Sequence, residues 1–159
     1  MDLWNADNLK NRAVTVVGLG RSGLAAARFC RAAGARVTVS EAGTADHFIA
    51  GAEALEGAGV SLEFGPHREA AFTRADLIVL SPGVPHTIAP LEAARQRGVP
   101  VMGEMELAAR FVREPIAAIT GTNGKTTTTE LLGAMLAASG LGVFVGGNIG
   151  RPLIEYVEA

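Results

Sequence analysis

Residues 13–18 read AVTVVG, an apolar, β-branched run with no polar alternation. That pattern predicts a strand covered on both faces. Residues 36–40 (RVTVS), 76–81 (DLIVLS), 99–102 (VPVM), 116–120 (IAAIT) and 142–146 (GVFVG) repeat the type. Between them lie alanine-rich stretches with apolar residues at helical spacing, predicting helices over 24–33, 45–56, 90–96, 104–112 and 126–139. Strands that alternate with helices build parallel sheets joined by crossover helices, so the fold class expected is α/β.

The series has a seam. A complete strand and helix series ends near Met102-Gly103, and a second unit of similar kind follows. Residues 1–102 therefore read as one domain and residues 103–159 as the beginning of another. The second holds only two predicted strands before the closing NIGRPLIEYVEA, which starts a further helix. An open sheet of two strands is too small to be stable alone, so the second domain reads as incomplete.

Charge narrows the partners. Lys and Arg total 14 against 16 Asp and Glu in 159 residues, a net charge of −2. No broad cationic face is available for coating nucleic acid, and any anion must be held locally. The single cysteine, Cys30, falls in the apolar pattern of the 24–33 helix and reads as a buried structural thiol. No apolar run reaches the roughly 20 residues of a membrane span, and the amino terminus lacks the apolar core of a signal peptide. No membrane insertion is expected, and a soluble, reducing compartment follows.

Two glycine loops carry the chemistry. Gly18, Gly20 and Gly23 in GLGRSG have G-x-G-x-x-G spacing between a predicted strand and a predicted helix. In that setting the first glycine permits a tight turn, the second lets a diphosphate approach the backbone, and the third lets helix and strand pack closely. The domain is thus Rossmann-like. Free N–H groups at the helix start would meet the anion, and Ser22 could add a hydroxyl. Glu41 ends the next strand, where this fold places an acid that hydrogen-bonds a ribose or base. NAD is the default ligand from the loop alone, and glycines serving only turn and packing needs are the alternative. Ser81 to Val84, SPGV, follows another strand and so falls on the same sheet edge, with Pro82 stiffening the turn and Gly83 allowing close approach. An ordinary turn accounts for that loop equally well.

The second loop, TGTNGKT, follows the predicted strand at 116–120 and opens a helix, the setting of a P-loop. There, loop amides cradle phosphates, Lys125 reaches the β- and γ-phosphate oxygens, and the Thr126 hydroxyl binds Mg²⁺. The full Walker pattern would need glycine at Ile119, so the match is to its glycine-lysine-threonine half, with Gly121 aiding the turn. Lysine at a helix start opposes the macrodipole, and four β-branched threonines lower helix propensity. Both costs make sense if a polyphosphate and its metal occupy the site. Thr127 to Thr129 are expected mainly to back-bond within the helix. Finally, GGNIG at 146–150 can return Asn148 toward the same edge, or serve as a plain turn.

With GLGRSG, SPGV, GTNGKTTTT and GGNIG in this order, the chain resembles the Mur ligases, and most of all those that add D-glutamate to UDP-N-acetylmuramoyl-L-alanine. The resemblance covers all 159 residues, yet reaches only the family's first domain and the opening of its ATP-binding domain. It implies a cytoplasmic, ATP-dependent amide-bond ligase of peptidoglycan precursor synthesis, working through an acyl phosphate. It also implies that the carboxyl-terminal, amino-acid-binding domain is absent and that these residues alone are inactive. Carried over by position, Gly20, Arg21, Ser22, Glu41, Gly83 and Asn148 would hold the UDP substrate. Gly121, Thr122, Asn123, Gly124, Lys125, Thr126 and Thr127 would hold ATP, with Lys125 and Thr126 catalytic and Thr126 on Mg²⁺. Two positions depart from the family pattern: Arg21, often apolar there, and Ala42-Gly43, where some relatives carry hydroxyl and basic residues. A stand-alone UDP-sugar or dinucleotide binding module without ligase activity is the competing reading.

Overall fold

Strand β1 (Ala13–Val17) runs through the middle of the structure because its side chains find cover on both sides. The computed structural model describes residues 6–47, 49–148 and 150–158. Around β1 lie β2 (Arg36–Glu41), β3 (Ser61–Phe64), β4 (Leu77–Leu80) and β5 (Val101–Gly103) in one parallel sheet of order β3-β2-β1-β4-β5. The register sets Val14 between Val37 and Leu77, and Val17 between Ser40 and Leu80.

The helices are α1 (Ala6–Leu9), α2 (Arg21–Ala32), α3 (Ile49–Gly57), α4 (Glu69–Thr73), α5 (Ala89–Gln96), α6 (Glu104–Ala109), α7 (Lys125–Ala138) and α8 (Ile154–Glu158). One apolar layer joins Val14, Val16, Val37, Val39, Leu77 and Val79 to Ala26, Cys30, Leu55, Leu107 and Ile154. The other joins Val17, Ile78 and Leu80 to Phe72, Leu91 and Ala94. Strand β4, LIVL, splits its side chains between the two layers and is buried throughout, which is why it shows no polar alternation. Thr15 is buried among them without penalty because its hydroxyl donates to the Ala71 carbonyl at 2.7 Å. Cys30 is fully buried, as its helical position predicts.

Four of the six expected strands form, as β1, β2, β4 and β5. The expected strands at 116–120 and 142–146 do not: neither belongs to a ladder among the described residues. A strand exists only through its neighbours, and these runs have no sheet to join. Ile116, Val143 and Val145 stay exposed as a result. Conversely, β3 and α4 form where no element is expected. β3 is four residues long and mixes Ser61 and Glu63 with two apolar residues, so it reads poorly yet pairs well as an outer strand beside β2. Helix α2 starts at Arg21 and so takes in the glycine loop's end. The helix expected at 45–56 opens as a 3-10 turn, Ala45–His47, before α3, and Phe48 within it lies outside the described residues. Among the described residues no helix is long and apolar enough to cross a membrane.

Candidate functional site

Strand order reverses beside β1, and ligands of open α/β sheets bind at that switch point, beyond the carboxyl ends of the strands. The loop from Gly18 to Gly23 leaves β1 there. Gly18 has φ +90°, its N–H donates to the Ser40 carbonyl at 2.9 Å, and its carbonyl accepts from Ser81 Oγ at 3.2 Å. The loop is thus tied to β2 on one side and to the loop after β4 on the other. The third glycine does what its spacing predicts: a Cβ on Gly23 would lie 1.9 Å from the Gly18 carbonyl oxygen. Gly20 differs, since a Cβ there meets nothing within 4 Å. Its freedom from protein contact leaves room for a ligand. No side chain caps α2, so its first amides are presented with the helix's positive end toward that space.

Glu41 closes over this loop from β2. Its Oε2 accepts the Leu19 N–H at 2.7 Å and its Oε1 the Gly43 N–H at 2.7 Å. The carboxylate therefore fixes the loop's backbone from the end of β2. Arg21 is exposed at the start of α2, and Ser22 is half-buried behind it. Gly83 is exposed, and a Cβ there has open space. So the structure gathers Gly20, Arg21, Ser22, Glu41 and Gly83 along one edge.

The second loop is separate. Gly121 and Gly124 have φ +151° and +75°, conformations that favour glycine, and α7 starts at Lys125 without a side-chain cap. Lys125 Nζ turns back onto its own loop, donating to the Gly121 carbonyl and, at 3.4 Å, to the Thr122 carbonyl. Those carbonyls offset the cost of a cation at the helix's positive end. Thr122, Asn123, Thr126 and Thr127 are exposed around it, and Thr129 back-bonds to the Lys125 carbonyl at 2.8 Å, as expected of the inner threonines. Asn148 is exposed in a turn closed by the Gly147 N–H on the Arg151 carbonyl at 2.8 Å, and Ile149 lies outside the described residues.

Two groups were not foreseen. His67 Nδ1 and Ser40 Oγ share a hydrogen bond of 2.8 Å at the edge where β2 ends, with the His67 ring against Phe72. Glu104 is only 1% exposed at the start of α6, and its Oε1 accepts the Ile154 N–H at 2.8 Å. A glutamate in a helix's first turn reads from sequence as a solvated dipole partner. Its burial depends on a segment 50 residues away, which no local pattern reveals.

Burial raises the pKa of Glu104, the Ile154 N–H lowers it, and the charge of Glu155 raises it again; the net shift is upward. The folded chain then holds a proton that the unfolded chain has released. Stability from this group is full below the ordinary glutamate value and is lost as pH rises through the higher folded value. Glu104→Gln is expected to flatten that fall. Thermal melts across the pH series should show the variant gaining on the parent as pH rises above the ordinary glutamate value. A constant difference in melting temperature would contradict the upward shift.

Residues 12–103 match the family described as Mur ligase MurD-like, N-terminal domain, and residues 119–155 match the Mur ligase middle domain. The chain is 53% identical over 151 residues to a UDP-N-acetylmuramoylalanine–D-glutamate ligase of Desulfatibacillum aliphaticivorans, covering 95% of this chain and 34% of the relative. It is 58% identical over 153 residues to the enzyme of the same name in Desulfosudis oleivorans, covering 94% and 32%. The chain thus spans about a third of the length of these curated relatives. Among solved structures it is similar to a pseudomurein peptide ligase type C of Methanothermus fervidus, with a TM-score of 0.55, 29% identity, and coverage of 82% of this chain and 27% of that one. It is also similar to the UDP-N-acetylmuramate-alanine ligase of Thermotoga maritima, with a TM-score of 0.53, 26% identity, and coverage of 86% and 32%.

Proposed function

Because the chain belongs to the Mur ligase family, with a MurD-like amino-terminal domain over residues 12–103, we propose that it serves the ATP-dependent joining of D-glutamate to UDP-N-acetylmuramoyl-L-alanine. The observation that carries this reading is the pair of phosphate-type loops on one chain, one at the sheet's switch point and one opening α7. Residues 1–102 form the UDP-substrate domain in this reading, and residues 103–159 begin the ATP-binding domain. The reaction runs in the cytoplasm as a step of peptidoglycan precursor synthesis. A stand-alone binding module is not favoured, since residues 119–155 match the middle domain of the ligases.

The diphosphate of the substrate lies against Gly20 and the uncapped amides of α2, with Arg21, Ser22 and Gly83 around it. Glu41 keeps the loop backbone set while one lone pair on each carboxylate oxygen remains for the uridine. Asn148 meets the muramoyl portion or its phosphates. The phosphates of ATP lie in the 121–127 loop, whose positive-φ glycines and free helix start suit them.

A carboxylate is a poor acyl donor, so the L-alanine carboxylate first attacks the γ-phosphorus of ATP, and the bond to ADP breaks. The amine of D-glutamate then attacks the acyl phosphate, loses a proton, and expels phosphate. Lys125 swings from its loop carbonyls to the transferring phosphoryl group and offsets its charge, which is electrostatic rather than acid–base work. Mg²⁺ would be held in part by the Thr126 hydroxyl, exposed beside Lys125, and supplies further charge neutralisation.

The first domain is expected to prefer the UDP substrate over NAD or NADP. Calorimetry with UDP-N-acetylmuramoyl-L-alanine, UDP, NAD and NADP side by side checks it. Tighter binding of either dinucleotide would overturn the assignment of the first loop.

A further inference from the structure

Glu104 holds the start of α8, three residues beyond the turn that carries Asn148, while its neighbour Met105 reaches the turn's first residue. Its Oε1 accepts the N–H of Ile154, the first residue of α8, and both residues are essentially fully buried. Met105 follows directly, and a Cβ on Gly147 would lie 3.2 Å from the Met105 methyl carbon. Between these two anchor points the chain from Gly147 to Arg151 is closed on itself by the Gly147 to Arg151 hydrogen bond. That bond ties the two ends of the turn to each other, so its placement depends on what grips those ends.

Other contacts of this region lie nearer the surface. Arg151 stacks over Phe144 at 5.1 Å and pairs with Glu155 at 3.1 Å, but its side chain is 57% exposed, so these contribute little. The Glu104 bond is buried, and α8 below it packs into the same apolar layer as α2, the helix that carries the first glycine loop. Glu104 itself follows β5, at the carboxyl edge of the sheet. Its Oε2 finds no hydrogen-bond partner among the described residues. A buried oxygen left without a partner is costly, and the fold keeps it. A leucine would fill the space without that cost, so the acceptor toward Ile154 has a task beyond packing.

We propose that Glu104 is a positioning residue for the substrate: by accepting the Ile154 N–H it fixes the start of α8, to which the Gly147 to Arg151 turn is joined by Pro152 and Leu153, and so holds Asn148 for the muramoyl end of the UDP substrate. The inference rests on the reading of Asn148 given above. Because Asn148 serves the far end of the ligand and the glycine loop serves the nucleotide, Glu104 acts on the complete substrate and not on UDP.

Calorimetry with UDP and with UDP-N-acetylmuramoyl-L-alanine, on the parent, Glu104→Ala, Glu104→Gln and Asn148→Ala, tests it. Glu104→Ala is expected to weaken the complete substrate about tenfold or more and to leave UDP within about twofold. Glu104→Gln keeps an acceptor oxygen and is expected to stay near the parent with both ligands. Asn148→Ala should match Glu104→Ala, and the double variant should be no weaker than either single one, because the two act as a unit. Unchanged substrate affinity in Glu104→Ala overturns the proposal. So does equal loss with UDP, or a Gln variant as weak as the Ala variant. If Asn148→Ala binds as the parent does, it is the reading of Asn148 that fails. Deuterium exchange in the unliganded chain then decides for Glu104: faster exchange at Ile154 and Gly147 in Ala but not in Gln supports it, and parent-like exchange in all variants overturns it.

Discussion

Lys125→Ala is expected to lower ligation by about a thousandfold or more while leaving affinity for the UDP substrate unchanged. The assay uses the chain fused to the remainder of the Desulfatibacillum aliphaticivorans relative, so that all parts of that enzyme are present. Lys125 lies in the loop that opens α7, whereas the UDP site proposed above is built from β1, β2 and the turn after β4. In the resting loop its ammonium is held by the Gly121 and Thr122 carbonyls, an arrangement that a phosphoryl group's stronger negative charge can displace. Loss of a positioned charge partner in phosphoryl transfer costs several powers of ten. Turnover within about tenfold of the parent would remove Lys125 from the chemistry.

The second large effect separates two glycines of one loop. Gly23→Ala brings a methyl group to within 1.9 Å of the Gly18 carbonyl oxygen and 2.8 Å of Ser81 Oγ. Both neighbours are held: the Gly18 N–H is bonded to Ser40, and the Ser81 N–H donates to the Val17 carbonyl at 3.0 Å. The clash cannot be relieved by a rotamer change and must move α2 off the sheet. Overpacking of this kind costs about 3 kcal/mol, or roughly 10 °C in melting temperature for a chain of this size. Gly20→Ala is the contrast. At φ −68° and ψ −175°, with no atom within 4 Å, alanine is accommodated without strain. Its melting temperature should stay within about 2 °C of the parent, while affinity for the UDP ligand falls about tenfold because the methyl group occupies the diphosphate's approach. Equal melting shifts in the two variants would contradict the packing difference between the glycines, and full affinity in Gly20→Ala would show that the loop is not a ligand cradle.

The first domain was legible because its strands announce themselves. AVTVV and LIVL are buried from both sides, so hydrophobicity is continuous, and the glycine spacing marks where β1 turns into α2. Segments 116–120 and 142–146 carry the same local pattern and do not become strands. Their composition is suited to a sheet interior, but a ladder is a property of neighbours, not of the run itself. β3 shows the reverse: its polar Ser61 and Glu63 weaken the pattern, and pairing to β2 from Thr38 to Glu41 makes the strand.

The site divides along similar lines. Gly23's packing against the Gly18 carbonyl, and the places of Gly20 and Lys125 at the starts of α2 and α7, could be read because spacing within a few residues sets them. Glu41 could be located at the strand end, yet nothing in the chain foretold that both its oxygens would be engaged by Leu19 and Gly43 amides. Glu104 and the Ser40 to His67 pair depend on separations of 50 and 27 residues, and only the folded topology brings them together.

The outer strands of the sheet have a bearing on how copies of this chain meet in solution. β3 has four residues and β5 three, so each free edge offers a very short template for another strand. Pro100 immediately precedes β5, and while its carbonyl accepts from Ile78 at 2.9 Å, it has no N–H to offer outward. Glu63 sets a carboxylate in the middle of β3. Short edges, a proline and a charge are the features that keep open sheets from joining edge to edge. A sheet with a hydrophobic centre is in this way given edges that are poor templates for pairing with another copy of itself.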